Sequence, residues 1–188
     1  MYHPGGKNHI RGVALFLDNK LSPSMEKLTP VSGRIPIVKL RHRYGHMSIV
    51  VVYAPTKDAS HTEKDSFYNQ LEPLVLSTPC HDQLFILGGL NAVSGTDRLG
   101  YEAMIGSHGS GAPNDNTHRL LNLCSMVKLV IAGSFFRRLD IHRRTWISYD
   151  GHTRKGIDNI LARDISFIMR YRLYRGAEPP ANSDHRLV

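Results

Sequence analysis

Residues 47–53 read MSIVVVY, and this run decides the fold class. It carries no charge and is dominated by β-branched side chains, which lose rotamer freedom in a helix and fit a pleated surface. It stops at Ala54-Pro55-Thr56, where proline removes a ladder donor. A buried strand is predicted, and its last residue, Tyr53, is placed at a sheet rim.

Working downstream, Phe67, Leu71, Leu74 and Val75 recur at helical spacing, which predicts a helix over Thr62–Ser77. Thr62 and Asp65 approximate its capping box. Pro73 is expected to kink or shorten it. Leu84–Leu87 (LFIL) predicts a buried strand closed by Gly88-Gly89. Residues 93–116 are rich in Gly, Ser and Asn and read as a long loop, the kind that often carries function. Leu120, Leu123, Cys124 and Val127 mark a second helix. Short strands are predicted over Leu129–Ala132, Thr145–Tyr149, Ile157–Ala162 and Arg170–Tyr174.

Upstream, Gly12–Leu17 (GVALFL) predicts a short buried strand ending in a turn at Asp18-Asn19. Arg34–Leu40 (RIPIVKL) alternates, with Pro36 marking an edge position or a bulge. Residues 1–11 are polar and Gly-rich and are expected to fray. Residues 12–188 read as one domain, without repeat or linker. Many strands and two helices predict an α+β architecture with two sheets packed face to face and helices outside.

The chain has 188 residues, 41% of them hydrophobic, which suits a packed core. No apolar run approaches a membrane span, so no membrane partner is expected. Two cysteines, Cys80 and Cys124, make no disulfide framework. They read as reduced thiols of an intracellular protein, nuclear or cytoplasmic, and no Cys/His cluster has zinc spacing. A formal net charge of +8 favours polyanionic partners. The basic residues are scattered, with the densest stretch running from Arg137-Arg138 to Arg143-Arg144.

Polar groups stand at the ends of apolar strands in four places. They are Tyr53, Asn91 after LFILGG, Asp158 inside GIDNIL, and Asp184-His185. A carboxylate inside an apolar strand needs a partner, which makes Asp158 the hardest of these to read as mere surface. Asp beside His is material for orienting an imidazole. Asn and Tyr can donate hydrogen bonds to phosphate oxygens.

In this order VYAPT (Val52–Thr56), ILGGLNA (Ile86–Ala92), TWIS (Thr145–Ser148), GIDNIL (Gly156–Leu161) and NSDHRLV (Asn182–Val188) resemble the endonuclease/exonuclease/phosphatase superfamily. The nearest resemblance is to the apurinic-type endonuclease domain of non-LTR retrotransposons and to craniofacial development protein 2-like proteins. It implies a four-layer αββα sandwich with its site at one rim of the paired sheets. It also implies hydrolysis of DNA phosphodiesters with Mg²⁺ as Lewis acid. Within it, Tyr53 would contact phosphate and Asn91 would hold water and phosphate. Asp158 would orient His185, which would stabilise the phosphorane charge, and Asp184 would stand near the metal.

The sequence departs from that pattern. Gly89 occupies the position of the family's water-activating aspartate, in Gly88-Gly89-Leu90-Asn91. Loss of such a base costs about 10²–10⁴-fold. The family's opening segment, with its metal-binding glutamate, has no counterpart before Gly12, and Asp18 and Glu26 fall after that strand. The last strand is barely begun at Val188. These departures predict a sandwich truncated at both ends and impaired in catalysis. The alternatives are an active Mg²⁺-dependent DNA endonuclease and a non-catalytic module that binds nucleic acid or a protein partner.

Overall fold

The computed structural model describes residues 13–173, 183–186 and 188. Eight strands and two α-helices follow in the order β1 (Met25–Ser32), β2 (Ile35–His42), β3 (Gly45–Tyr53), α1 (His61–Leu76), β4 (Gln83–Gly89), α2 (Asp115–Val127), β5 (Val130–Ile131), β6 (Trp146–Ile147), β7 (Arg154–Lys155) and β8 (Asp158–Ala162). Six strands form one mixed sheet in the order β1-β2-β3-β4-β8-β5, and β6 pairs with β7 in a second, two-stranded sheet. The architecture is the α+β sandwich expected. Among the described residues its second sheet has two strands, and α1 and α2 are its only α-helices.

Only β3 and β4 run parallel, because α1 crosses between them; the other pairs are antiparallel. Partners in register share a face. Ile37, Val50, Ile86, Leu161 and Ile131 therefore make one row across five strands. That row packs with Phe67, Leu71 and Val75 of α1 and with Leu120, Cys124 and Val127 of α2. Burying each such side chain contributes about 1.5–3 kcal/mol. Burial also pushes the Cys124 thiol up to about 12, so it is packing material rather than a nucleophile. The opposite face carries Val51, Leu87 and Ile160, each half-buried.

Several local expectations are corrected. Val13–Leu17 form no regular strand: Leu15 makes an isolated bridge, Val13 is buried, and Phe16 is 71% exposed. β1 went unread because its residues are mostly exposed and include Glu26, Lys27 and Pro30, the composition of a guarded edge. Its presence makes β2 an inner strand, and Pro36 pairs with Pro30 beside a register shift; the bulge reading is the one seen. α1 is capped by Ser60, whose hydroxyl accepts from Glu63 N at 3.2 Å, two residues ahead of the expected Thr62. Pro73 sits in its last turns without ending it. Gly88 and Gly89 belong to β4 rather than closing it. Arg170–Leu173 form no strand; Tyr174, the expected frayed start at 1–11, Asn182 and Leu187 lie outside the described residues. No helix among the described residues is long and apolar enough to cross a membrane.

Candidate active site

The parallel crossover sets β3 and β4 to finish at the same rim, and antiparallel β8 begins there. Register brings Tyr53, Gly89 and Asp158 into a single row. Their alternation with Val52, Gly88 and Asn159 puts them on the face away from the helices. An ideal Cβ built on Gly89 would lie 3.3 Å from Asp158 Oδ1 and 3.3 Å from Tyr53 Cδ2. The row therefore has only a shallow hollow at its centre, between a phenol ring and a carboxylate that would each have to give by a few tenths of an ångström to admit a Cβ.

His185 comes to this row from far along the chain. Its Nδ1 meets Asp158 Oδ2 at 2.9 Å, which gives the carboxylate the partner its apolar strand demanded. A carboxylate acceptor there fixes the proton on Nδ1 and aims Nε2 outward. A backbone bridge between His185 and Trp146 anchors the segment. Asp184 turns to Trp146, whose Nε1 donates to Asp184 Oδ2 at 2.7 Å. Asp184 Oδ1 stays 3.9 Å from His185 Nε2.

Asn91 follows the hollow with φ of 50°, a left-handed turn that asparagine tolerates. Its Nδ2 donates to Ala54 O at 2.8 Å, so it ties the exit of β4 to the exit of β3. Its own carbonyl accepts from Asn114 Nδ2 and Asn116 Nδ2 at 3.0 and 3.2 Å. Asn114 is the N-cap of α2, and the long loop over 93–114 thus starts and ends beside the rim.

Three further residues shape the rim and were given no role by sequence reasoning. Thr145, 2% exposed, accepts the backbone N–H groups of Ile157 and Asp158 on its hydroxyl, both at 3.1 Å. It orients the first residue of β8. Trp146 holds Asp184. The motif TWIS was the signal that could have found both. Arg34, before β2, gave no signal at all; its guanidinium reaches Tyr53. Behind Asp158, the Arg138 guanidinium lies 4.4 Å from the Tyr171 ring centroid. Burial, joined by the nearby Asp158 charge, pushes the Tyr171 phenol up to about 12.

No family model matches the chain. It is 31% identical over 191 residues to craniofacial development protein 2 of Bos taurus, and 30% identical over 191 residues to that of Tragulus javanicus. Both alignments take in all of this chain but 32% and 33% of those proteins, so the chain spans about a third of their length. Its structure superposes on the endonuclease domain of TRAS1, a telomere-specific non-LTR retrotransposon, with a TM-score of 0.62. That match covers 86% of this chain and 64% of the TRAS1 domain, at 17% identity. The superposition shows that the chain shares the fold of that domain.

Protein Mg²⁺ sites use one or two carboxylates and keep several waters. Here one oxygen of Asp158 is bonded to His185 and one oxygen of Asp184 to Trp146. No three His, Cys, Asp or Glu side chains among the described residues form a group that could hold an ion. Any Mg²⁺ here would have to rest on the remaining oxygens of Asp158 and Asp184 and on water. On their own, the residues of the rim offer hydrogen bonding and charge. His185 and Tyr53 can each donate to a phosphoryl oxygen. At the hollow of Gly89 there is no side chain to take a proton from water.

The pairing has a pH signature. The Asp158 hydrogen bond raises the His185 pKa above 6.5, partial burial opposes this, and the charges of Asp158 and Asp184 add to it. A raised folded value makes the pair's contribution full below pH 6.5 and lost as pH climbs through the folded value. His185 is 40% exposed, so screening limits that contribution to about 1 kcal/mol or less. Melting temperatures followed from about pH 5.5 to 9 should therefore decline more in the wild type than in Asp158→Asn. Parallel profiles would contradict the pairing.

Proposed function

We propose that this chain is a retrotransposon-derived endonuclease-like domain that holds DNA by its backbone and hydrolyses it poorly or not at all. The observation that carries this reading is the Tyr53–Gly89–Asp158 row with His185 seated on Asp158. Phosphate-facing donors and an oriented imidazole are together, and the position between them is a glycine. Nothing at that position can accept the proton of an attacking water, a loss of about 10²–10⁴-fold. The TRAS1 domain is an endonuclease by name, and the resemblance makes Mg²⁺ the cofactor to supply in any assay.

DNA as partner is supported by a cleft of about 850 Å³ beside the rim. Val93 and Gly156 in its wall lie two positions from Asn91 and Asp158. Lys57, His61, Arg143, Arg144, Arg154 and Lys155 also line it, with Asp115 and Asp140 as the acidic exceptions. Such a surface exchanges condensed cations for its own charges on a phosphate backbone. Only part of the sequence cluster at 137–144 contributes, because Arg138 is turned inward onto Tyr171.

A second reading, an active Mg²⁺-dependent endonuclease, is favoured by the intact His185–Asp158 pair. Nicking of supercoiled plasmid with Mg²⁺ or EDTA, with His185→Ala alongside, separates the two. The expected result is salt-sensitive DNA binding by folded protein, with no nicking above the EDTA background. Mg²⁺-dependent nicking that disappears in His185→Ala would establish the second reading instead. Absence of DNA binding at low salt would sink both.

A further inference from the structure

Arg34 precedes β2, far from every motif that marks the rim, yet its contacts converge on Tyr53. The Arg34 carbonyl accepts from Tyr53 N at 3.1 Å, and Arg34 Nη1 donates to Tyr53 O at 2.9 Å. One residue thus holds both backbone polar groups of the last residue of β3. The guanidinium carbon lies 5.3 Å from the Tyr53 ring centroid. Nη2 donates to Glu63 Oε1 at 2.8 Å in the first turn of α1, and the Arg34 side chain is 16% exposed. The Gly89 hollow also touches the Tyr53 ring, with its ideal Cβ 3.3 Å from Cδ2.

We infer that Arg34 is a positioning residue for Tyr53: anchored by Glu63, it braces the phenol in the rim row beside the Gly89 hollow and strengthens it as a donor to phosphate. The inference rests on the reading above, in which Tyr53 faces a phosphate. Two physical effects support it. A planar guanidinium can span the Tyr53 carbonyl and the Glu63 carboxylate at once, which no lysine can do. A cation near the ring withdraws electron density from the phenol, and buried or half-buried cation–π pairs are stronger than exposed ones. The alternative is that Arg34 is a surface cation that touches DNA itself.

The test uses the whole chain and a short DNA duplex in EDTA, so that binding is read without cleavage. Tyr53→Phe is expected to weaken binding about ten-fold, the low end for a hydrogen bond to a charged group. Arg34→Met should weaken it comparably, and the double variant should be no weaker than Tyr53→Phe alone. The slope of log affinity against log salt should not change. Additive losses, or a slope shallower by about 0.9, would mean that Arg34 neutralises a phosphate directly and would overturn the inference. So would wild-type binding by Arg34→Met. Arg34→Lys should recover less than half of the loss. Glu63→Gln, which leaves the arginine stem in place, should weaken binding in the same direction if Arg34→Met folds poorly.

A second readout does not depend on DNA. The Tyr53 ring resonances, identified by their disappearance in Tyr53→Phe, should shift and broaden in Arg34→Met at an unchanged melting temperature. Unmoved resonances overturn the inference. Moved resonances together with wild-type DNA binding by Tyr53→Phe would leave Arg34 as the brace and remove the phosphate role of Tyr53.

Discussion

Gly89→Asp should raise Mg²⁺-supported plasmid nicking by about 10²–10⁴-fold over the wild-type chain, the usual worth of a general base. The backbone permits the change. Gly89 lacks the left-handed φ that would strain a side chain, and its ideal Cβ meets Asp158 Oδ1 and Tyr53 Cδ2 at 3.3 Å, so both side chains must give by a few tenths of an ångström. Gly88 offers the internal contrast. Its φ is 133° and a Cβ there would lie 2.1 Å from Val52 O, so Gly88→Asp should break the β3–β4 pairing and unfold the rim. The new carboxylate at 89 also carries a cost. It stands beside Asp158, and two carboxylates this close repel each other. A stability loss of about 1–2 kcal/mol is therefore expected with the gain in rate. Initial nicking rates and a melting curve on the same sample decide the matter. A folded Gly89→Asp protein that binds DNA and still does not nick would show that the missing base is not what limits the rim. The shortfall would then lie in metal binding.

The rim was legible because strand ends are punctuated. MSIVVVY stopped by proline, LFILGG and GIDNIL each announce a strand and deliver one polar residue to its end. Once the strands share a sheet, register does the rest. The partner of Asp158 was predictable in kind, since a carboxylate beside Ile157 and Ile160 has to be compensated. Its identity as His185 came from the resemblance rather than from spacing, because nothing local links positions 27 residues apart. The roles of Arg34 and Thr145 lie in backbone contacts, which leave no pattern of their own; only the motif TWIS marked Thr145 at all. Arg34 acts through Tyr53 O, and Thr145 through two N–H groups of β8. β1 was missed for a different reason: an edge strand guarded by Glu26, Lys27 and Pro30 carries no period-two apolar signal. The opposite error, at Val13–Leu17, shows that an apolar run paired only through a single bridge at Leu15 does not extend into a strand.

Ile86→Ala should be the most damaging single truncation in β4, by about 2–5 kcal/mol. Ile86 is fully buried and stands at the middle of the row Ile37–Val50–Ile86–Leu161–Ile131, with the helix residues above it. Its flanking partners Val50 and Leu161 are held at ladder spacing on both sides, so the cavity cannot collapse by moving one neighbour. Leu87, the next residue, faces the other side of the sheet and is only half-buried. Leu87→Ala should therefore cost clearly less, about 1–2 kcal/mol, although it removes the same kind of side chain. Urea midpoints of the two variants make the comparison, since the slope should be common to both. A total stability of about 5–15 kcal/mol means that the Ile86 loss could consume a third or more of it. DNA binding of the still-folded fraction should nonetheless stay close to wild type. Gly89 and Tyr53 are held to each other and to Asp158 by ladder hydrogen bonds, not by the Ile86 side chain. Equal midpoints for the two variants would mean that the apolar face bearing Leu87 is as well packed as the helix-covered one. The half-buried row Val51, Leu87 and Ile160 would then have to count as core.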